Sequence, residues 1–425
     1  MQTAFTPEQL ADPEFAASHG QIRKCVHCGF CTATCPTYVL RGDERDSPRG
    51  RIELIRSMLE RPDEAPSKET VTHIDRCLSC LGCKTTCPSG VDYAQLIDHA
   101  RTHIEGHYRR PWPERLLRAL IPAVLARPKR LRAALMLGRL ARPLGPALEA
   151  LRLRPLAALL RLVPPAGKVD CGPPVRPVVA PRGRVALLQG CVEPAMAPQI
   201  RAAAARLLAK AGFEVVEVAG EGCCGALSEH LGRAEEAQAF AAANVRAWAD
   251  AGPLDAIVTT AAGCGTTLKA YGHRLGADGA PTAAIARDIL EFIAEVGLPP
   301  VMRPGKVAVA YHAPCSLQHG QGVLAQPARL LAEAGFEVRA VAEGHLCCGS
   351  AGVYNILQPT LAGQLRDRKA ANLKRTGAAV VAAGNIGCIA QIAPAVGMPV
   401  VHPVELLDWA TGGPAPVAMS AELRA

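Results

Sequence analysis

The sequence predicts an α/β protein with an α-helical N-terminal domain, a basic helical linker and two tandem α/β modules with parallel strands. Three observations support this prediction. Two cysteine runs with identical internal spacing lie near the N-terminus, a Leu/Arg/Pro-rich segment follows them, and the remaining sequence contains an internal repeat. The expected division is a two-cluster domain over 1–108, a linker over 109–181, one module over 182–300, a second over 301–415, and a tail over 416–425.

The two cysteine runs predict iron–sulfur clusters. Each run reads C-x2-C-x2-C-x3-C-P, which is the bacterial ferredoxin spacing for a [4Fe–4S] cluster. Structural zinc usually uses separate C-x-x-C pairs, and disulfides need an oxidising compartment that nothing in the sequence indicates. In two-cluster ferredoxins the fourth cysteine ligates the other cluster. We therefore predict one cluster on Cys25, Cys28, Cys31 and Cys87, and another on Cys77, Cys80, Cys83 and Cys35.

The segment between the runs predicts a helix that begins after Ser47. Ser47 is a suitable N-cap, Pro48 suits the first helical position, and the apolar residues that follow share one face. The wide separation of the runs favours a helical variant of the ferredoxin fold, with a further short helix over 7–17. Arg49 and Arg51 are expected to make solvated or structural contacts, and offsetting the negative charge of a cluster is the alternative.

Basic charge is concentrated in the linker. The net charge of the chain is +9, whereas residues 109–161 carry twelve Arg and one Lys against two Glu, a sum of +11. Prolines at 122, 128, 143, 146 and 155 are expected to divide this segment into short helices. Its cationic and aliphatic faces suit contact with an anionic membrane surface or with an acidic partner, and the alternative is an ordinary solvated linker. No recognition motif accompanies the charge, so we expect no nucleic-acid binding.

The remaining composition points to an intracellular protein. We find no secretory signal and no apolar run long enough to cross a membrane. Seventeen cysteines without an export signal favour metal ligation in a reducing compartment. The expected location is the cytoplasm, at the inner face of the cell membrane.

The internal repeat predicts two metal sites. Cys191, Cys223, Cys224 and Cys264 recur 124 residues later as Cys315, Cys347, Cys348 and Cys388, with glycine after each Cys-Cys pair. The expected strands are 184–188, 214–218 and 256–260 in one module, and 306–310, 337–341 and 378–382 in the other, with long helices over 228–251 and 359–376. Each module's last cysteine is expected to end its third strand. All eight cysteines should then gather at the carboxyl ends of parallel strands. Four thiolates suit zinc and an iron–sulfur cluster equally well, and Cys171 receives no predicted role.

At these residues the sequence resembles the iron–sulfur electron-transfer subunits of membrane-linked dehydrogenases. Relatives of this kind serve glycolate, lactate and glycerol-3-phosphate oxidation, and similar Cys-Cys-Gly modules occur in heterodisulfide reductase. The strongest resemblance is to glycolate oxidase iron–sulfur subunits, through the segments 189–194, 223–232, 311–320 and 383–388. The modules of heterodisulfide reductase end in a C-x-x-C pair, whereas Cys264 and Cys388 stand alone. This difference counts against disulfide cleavage and leaves the cofactor of the modules open between a cluster, zinc and none.

The resemblance implies a mechanism shared with other subunits. A flavoprotein partner would oxidise glycolate to glyoxylate, and this chain would pass electrons through two [4Fe–4S] clusters towards quinone. The sequence has no G-x-G-x-x-G fingerprint, so we expect no flavin here and no catalytic residue for substrate oxidation. The alternatives are a lactate or glycerol-3-phosphate complex, a reductase working at the Cys-Cys-Gly sites, and a zinc-stabilised docking platform. His312 and His319 flank Cys315, where satisfied loop histidines are favoured over proton relays.

Overall fold

The computed structural model describes residues 1–151, 153–164, 169–419 and 423, and does not describe the side chain of Arg154. The expected linker therefore lies partly outside the described residues, at 152 and 165–168. Half of the expected tail, at 420–422 and 424–425, also lies outside them.

Residues 1–108 are helical and contain no strand. Their helices are α1 (Pro7–Ala11), α2 (Pro13–Lys24), α3 (Phe30–Ala33), α4 (Pro36–Arg41), α5 (Pro48–Leu59), α6 (Lys68–Asp75), α7 (Gly82–Thr86) and α8 (Tyr93–His107), with a 3-10 turn at Glu44–Asp46. The helix predicted after Ser47 is confirmed, and Ser47 Oγ accepts from Gly50 N at 3.0 Å. The single helix expected over 7–17 is wrong. Asp12 ends α1 and caps α2, because its side chain accepts from Glu14 N at 2.7 Å.

The linker forms helices that pack on the rest of the chain. They are α9 (Trp112–Leu125), α10 (Pro128–Ala141), α11 (Gly145–Ala150) and α12 (Arg154–Arg161), with a 3-10 turn at Arg142–Leu144. Four of the five prolines lie at the start of a helix or turn, as expected. Pro122 does not end a helix and lies buried inside α9, where its packing offsets the missing backbone hydrogen bond. Arg110 and Arg118 are also buried, and Arg110 Nη1 lies 2.6 Å from Asp75 Oδ2.

Two four-stranded parallel sheets form the C-terminal part. The first contains β1 (Gly183–Leu187), β2 (Phe213–Val216), β3 (Ala256–Thr259) and β4 (Ala286–Asp288) in the order β2-β1-β3-β4. The second contains β5 (Ala308–His312), β6 (Glu337–Arg339), β7 (Val380–Ala383) and β8 (Val400–Val401) in the order β6-β5-β7-β8. In register, Val185 pairs with Val215 and Ala256, and Val309 pairs with Val338 and Val380. The parallel α/β architecture is confirmed, and the ends of the six expected strands are shifted by at most two residues.

The two modules share one apolar core. Their helices are α13 (Glu193–Met196), α14 (Pro198–Lys210), α15 (Ala226–His230), α16 (Ala234–Asp250), α17 (Ala262–Lys269), α18 (Tyr271–Leu275), α19 (Ala280–Ile285), α20 (Ile289–Val296), α21 (Gln326–Glu333), α22 (Tyr354–Leu357), α23 (Pro359–Arg375), α24 (Ile386–Val396) and α25 (Pro403–Ala410), with short turns at Gly276–Asp278 and Ser316–Gly320. Helix α25 of the second module packs on α14 of the first module, and α20 of the first module packs on α21 of the second. This exchange joins both sheets into one body and brings their carboxyl ends face to face.

The helix expected over 228–251 is interrupted. Gly232 separates α15 from α16 at a φ of +78°, and a Cβ there would lie 2.3 Å from the Arg101 carbonyl oxygen. Glycine therefore permits the close approach of α8 to the first module. Among the described residues, no helix is both long and apolar enough to cross a membrane.

Candidate metal centres

The first cysteine set surrounds a small surface cavity. Its lining includes Cys25, Cys28, Cys31, Cys87 and Cys83, and it contains no carboxylate side chain. Burial raises the pKa of the Cys25 thiol, and it raises that of Cys31 to about 11. A converging set of thiols without hard oxygen donors fits an iron–sulfur cluster, which would have to displace the thiol protons on binding.

The second cysteine set lies deeper and borders the C-terminal part. Cys77 and Cys35 are buried, and burial raises the pKa of the Cys80 and Cys83 thiols. Ser79 and Leu81 adopt positive φ angles of 49° and 60°. Two non-glycine residues in the left-handed region within one short loop indicate a backbone that the surrounding structure holds around a site. This set also fits a cluster.

A buried charge network lies beneath the second set. Arg51 is only 1% exposed, and its Nη1 lies 3.8 Å from Cys35 Sγ. Its Nε donates to the His73 carbonyl oxygen at 2.7 Å, and its Nη2 lies 3.4 Å from Asp46 Oδ1. The sequence did not indicate this burial. Arg51 makes the structural contacts that were expected and also places a buried positive charge next to thiol ligands, whereas Arg49 lies at the surface and pairs with Glu44.

In the first module the four thiols form a continuous chain of contacts. The thiol of Cys223 interacts with those of Cys191 and Cys224, and the thiol of Cys224 interacts with that of Cys264. These interactions are the main reason that the pKa of Cys223 is raised. Gly225, at a φ of +93°, is needed for this loop, because a Cβ would lie 2.9 Å from the Ala237 carbonyl oxygen.

The thiols of the second module form the corresponding chain. Cys315 Sγ lies 3.7 Å from Cys347 Sγ, and the thiol of Cys348 interacts with those of Cys347 and Cys388. The expectation that the last cysteine ends a strand is wrong in both modules. Cys264 and Cys388 lie in the first turns of α17 and α24, because β3 and β7 end several residues earlier.

The two histidines near Cys315 differ. His319 is a satisfied loop histidine, since Nδ1 lies 2.7 Å from Thr85 Oγ1 and Nε2 lies 3.1 Å from the His345 carbonyl oxygen. His312 is buried, and neither ring nitrogen has a hydrogen-bond partner among the described residues. Burial lowers the pKa of His312 to about 3, so its ring is neutral. The expectation of a satisfied histidine is therefore wrong for His312.

All eight module cysteines line one cavity. It has a volume of ≈ 480 Å³, lies between the carboxyl ends of the two sheets, and is walled on its other side by leucines of α9, α10 and α12. The cluster loop also reaches it, because Leu78 and Ser79 are part of the lining. Cys80 lies close enough to Cys315 for the two thiols to interact electrostatically. The sequence did not predict this shared cavity, and its only signal was the aliphatic face of the linker helices.

Cys171 lies outside all of these sites. It is half-buried, and its carbonyl oxygen accepts from Arg206 Nη1 at 2.6 Å. Arg206 in turn pairs with Asp408 of α25, so this contact fastens the linker to both modules.

Comparison with known proteins agrees with this arrangement. A 4Fe-4S dicluster domain model matches residues 21–91, and a cysteine-rich domain model matches residues 185–269 and 309–393. The sequence is 39% identical over 419 residues to the glycolate oxidase iron-sulfur subunit of Escherichia coli, which covers 96% of this chain and 99% of the relative. It is 31% identical to the probable glycolate oxidase iron-sulfur subunit of Bacillus subtilis, over 88% of each chain.

Two more distant matches are weaker: one relative aligns with about half of this chain, and one solved structure shares only its fold. Lactate utilization protein A of Geobacillus kaustophilus is 26% identical over 53% of this chain and 98% of the relative. The crystal structure of a hypothetical protein from Helicobacter pylori superposes with a TM-score of 0.53 at 9% identity, covering 94% of this chain and 72% of that chain. The near-full-length similarity, the two domain models and the two cysteine-rich centres together confirm the resemblance. This chain belongs to the family of glycolate oxidase iron–sulfur subunits, which are iron–sulfur components of an oxidoreductase complex.

Proposed function

We propose that this chain is the electron-transfer subunit of a membrane-associated glycolate oxidase. Flavoprotein subunits of the complex would oxidise glycolate to glyoxylate, and this chain would pass the electrons towards quinone. The observation that carries the proposal is the position of the 77–83 loop, which contacts the first cysteine set on one side and the cavity between the modules on the other. Glycolate is favoured over lactate because the glycolate oxidase relatives match nearly the whole chain at higher identity.

The proposed ligand sets are crossed between the two runs. Cys25, Cys28, Cys31 and Cys87 would hold one [4Fe–4S] cluster, and Cys77, Cys80, Cys83 and Cys35 the other. A [4Fe–4S] cluster supplies one-electron transfer. The surface cavity supports the crossing, because Cys87 of the second run lines it together with three cysteines of the first run. Cys83 also reaches that cavity, which is consistent with closely neighbouring sites.

The surface next to the first set suits a partner protein. Cys28 is exposed, and the apolar side chains of Val26 and Phe30 are exposed beside it. An electron donor must approach a cluster closely, and exposed apolar side chains at such a point favour protein contact. We place the flavoprotein partner here. The chain itself would bind no flavin and would not oxidise glycolate alone.

The cavity between the modules suits a quinone. Its walls are mostly aliphatic, with Ile121 and Leu135 on the linker side, and its volume of ≈ 480 Å³ falls within the range typical of small-molecule sites. Ser79 and Leu78 of the second cluster loop lie in its wall. A quinone in this cavity would therefore lie next to the loop that carries Cys80.

The linker helices suit peripheral contact with a membrane. Leu116, Leu120, Leu137 and Leu140 are exposed on α9 and α10, within the segment of net charge +11. Exposed leucines beside arginines favour an anionic lipid surface, and the same helices wall the cavity. We propose this contact at the inner face of the cell membrane.

We also propose that the chain divides into domains over 1–108, 109–181, 182–300, 301–415 and 416–425.

The proposal is tested on the complex purified with its partner subunits. Glycolate should reduce a soluble quinone analogue in the presence of the complex, and the isolated chain should give no such activity. Cys80→Ser should abolish quinone reduction while flavin reduction by glycolate continues, and Cys171→Ser should leave both unchanged. Lactate-dependent activity without glycolate-dependent activity would overturn the assignment of glycolate as the substrate. Full quinone reduction by Cys80→Ser would overturn the proposed electron route through the second cluster.

A further inference from the structure

In the second module, one cluster of potential metal ligands contains a histidine together with two cysteines. A ring nitrogen of His312 and the thiol sulfurs of Cys348 and Cys388 all lie within 4.8 Å of one another, and all three residues are buried. Asn385 Nδ2 donates to Cys388 Sγ at 3.6 Å, which fixes the orientation of that thiol. The three potential ligands come from different elements, at the end of β5, in the Cys-Cys-Gly loop and in the first turn of α24.

His312 is buried without any hydrogen bond to its ring among the described residues. It is 2% exposed, and neither Nδ1 nor Nε2 has a hydrogen-bond partner among the described residues. Two other buried histidines have partners, since His73 Nδ1 lies 2.8 Å from Asp46 Oδ1 and His402 Nε2 lies 2.9 Å from the Thr260 carbonyl oxygen, whereas His103 leaves Nε2 unpaired. An unpaired buried polar group costs free energy, so a ring with two unpaired nitrogens beside two thiols indicates a missing bonding partner.

We propose that the second module binds one zinc ion through His312, Cys348 and Cys388. Mixed imidazole and thiolate ligation is typical of zinc. Ligand atoms at zinc distances of about 2.0–2.3 Å in a tetrahedron lie about 3.3–3.8 Å apart. The ligand atoms of the three residues lie within 4.8 Å of one another, so small side-chain movements would bring them to these distances. Zinc binding releases the thiol protons and uses a lone pair of the neutral imidazole, with no change of oxidation state.

The first module lacks this site. The residue 124 positions before His312 is Leu188, which is buried and has no ligand atom. Within the described part of the chain, no group of three closely spaced histidine, cysteine or carboxylate ligands is found in the first module. The two modules therefore differ at this position, which carries His312 in the second module and Leu188 in the first.

The site is tested by metal analysis and zinc K-edge X-ray absorption on the full chain, purified anaerobically. The wild-type protein should contain about one zinc per chain, with nitrogen and sulfur in its first shell. His312→Leu, which copies the first module, should lower zinc affinity at least tenfold. His312→Cys should retain zinc with an all-sulfur shell.

A neighbouring substitution controls for local packing. Tyr311→Phe removes a buried hydroxyl that has no partner in the described structure, and it should leave the zinc content unchanged. Iron content reports folding of the N-terminal domain and should be equal in all four proteins. Unchanged zinc in His312→Leu, or a wild-type zinc shell containing sulfur alone, would overturn the proposal. Loss of zinc in His312→Cys as well as in His312→Leu would also overturn it, because a ligand should restore binding.

Discussion

Replacing Asp46 by asparagine should destabilise the N-terminal domain severely. The Asp46 carboxylate is fully buried and is the shared acceptor of a network, with Arg41 Nε at 2.7 Å, His73 Nδ1 at 2.8 Å and Arg76 Nη1 at 3.2 Å. Arg51 Nη2 approaches at 3.4 Å. Asparagine keeps the shape of the side chain and removes its charge, which leaves the buried Arg51 without its carboxylate partner.

The magnitude follows from the exposure of the partners. Arg41 and Arg76 are 37% and 21% exposed and can be solvated after the change, so they contribute little. Arg51 is 1% exposed and cannot be solvated. Removing one partner of such a buried pair costs about 3–5 kcal/mol. Asp43→Asn is the matched control, because its partner Arg45 is 51% exposed and the expected loss is about 0–1 kcal/mol.

The assay is urea denaturation under argon, followed by far-UV circular dichroism and by the visible absorbance of the clusters. With a urea dependence of about 2 kcal/mol per molar, the Asp46→Asn midpoint should fall by roughly 2 M and the Asp43→Asn midpoint by less than about 0.5 M. Equal midpoints for the two variants would refute the reasoning that Asp46 neutralises a buried cation beneath the second cysteine set.

Three further predictions concern the modules and their junction with the N-terminal domain. Gly349→Ala should lower the free energy of unfolding by about 1–3 kcal/mol and lower the zinc content, because the φ of Gly349 is +89° and a Cβ would lie 2.6 Å from the Ala362 carbonyl oxygen. The control is Gly363→Ala, which adds a methyl group in open space on a helix. In thermal unfolding it should be neutral or slightly stabilising. Burial raises the pKa of Asp288 to about 7, so the folded state binds more protons than the unfolded state between about pH 4 and pH 7, and the free energy of unfolding falls as pH rises through that window. Asp288→Asn should remove up to about 4 kcal/mol of this fall in denaturation measured from pH 4 to pH 8, and an unchanged pH slope would contradict the assignment. His319→Ala removes the 2.7 Å contact with Thr85 and should speed hydrogen exchange in α7 without changing it in α16, and unchanged exchange in α7 would show that this contact does not hold the junction.

The parts of the fold that the sequence predicted depend on local patterns. The spacing of the cysteine runs, the Ser47–Pro48 helix start and the repeat each reflect constraints acting within a few residues or at a fixed period. Such constraints are legible without knowledge of the tertiary structure. The parallel sheets follow from the repeat, because strands that alternate with helices in register have few other arrangements.

The errors arose where tertiary contacts override local patterns. β4 and β8 have three and two residues, too short to give a pattern in the sequence. The break at Gly232 depends on the close approach of α8, and the helical Pro122 depends on its burial by distant residues. Arg51 gave no signal of its burial, since a residue near a helix start is usually solvated.

The sites were predicted as sets of residues, and their mutual positions were not. The repeat grouped Cys348 with Cys388, which lie close together in the structure, but it could not place His312 beside them, because the first module has Leu188 at that position. The shared cavity forms only because α20 and α25 are exchanged between the modules and the linker helices cover its open side. These are long-range packing effects that no local pattern encodes.

The most direct test of the account is iron, zinc and acid-labile sulfide per chain on anaerobically purified protein, with EPR after dithionite reduction. Two [4Fe–4S] clusters predict about eight irons and eight sulfides, with a spectrum of two magnetically interacting clusters. About one zinc should accompany them in the second module. Reproducibly fewer than eight irons would contradict the two-cluster assignment on which the electron route depends, and about twelve irons without zinc would place a further cluster in the modules and contradict the zinc site.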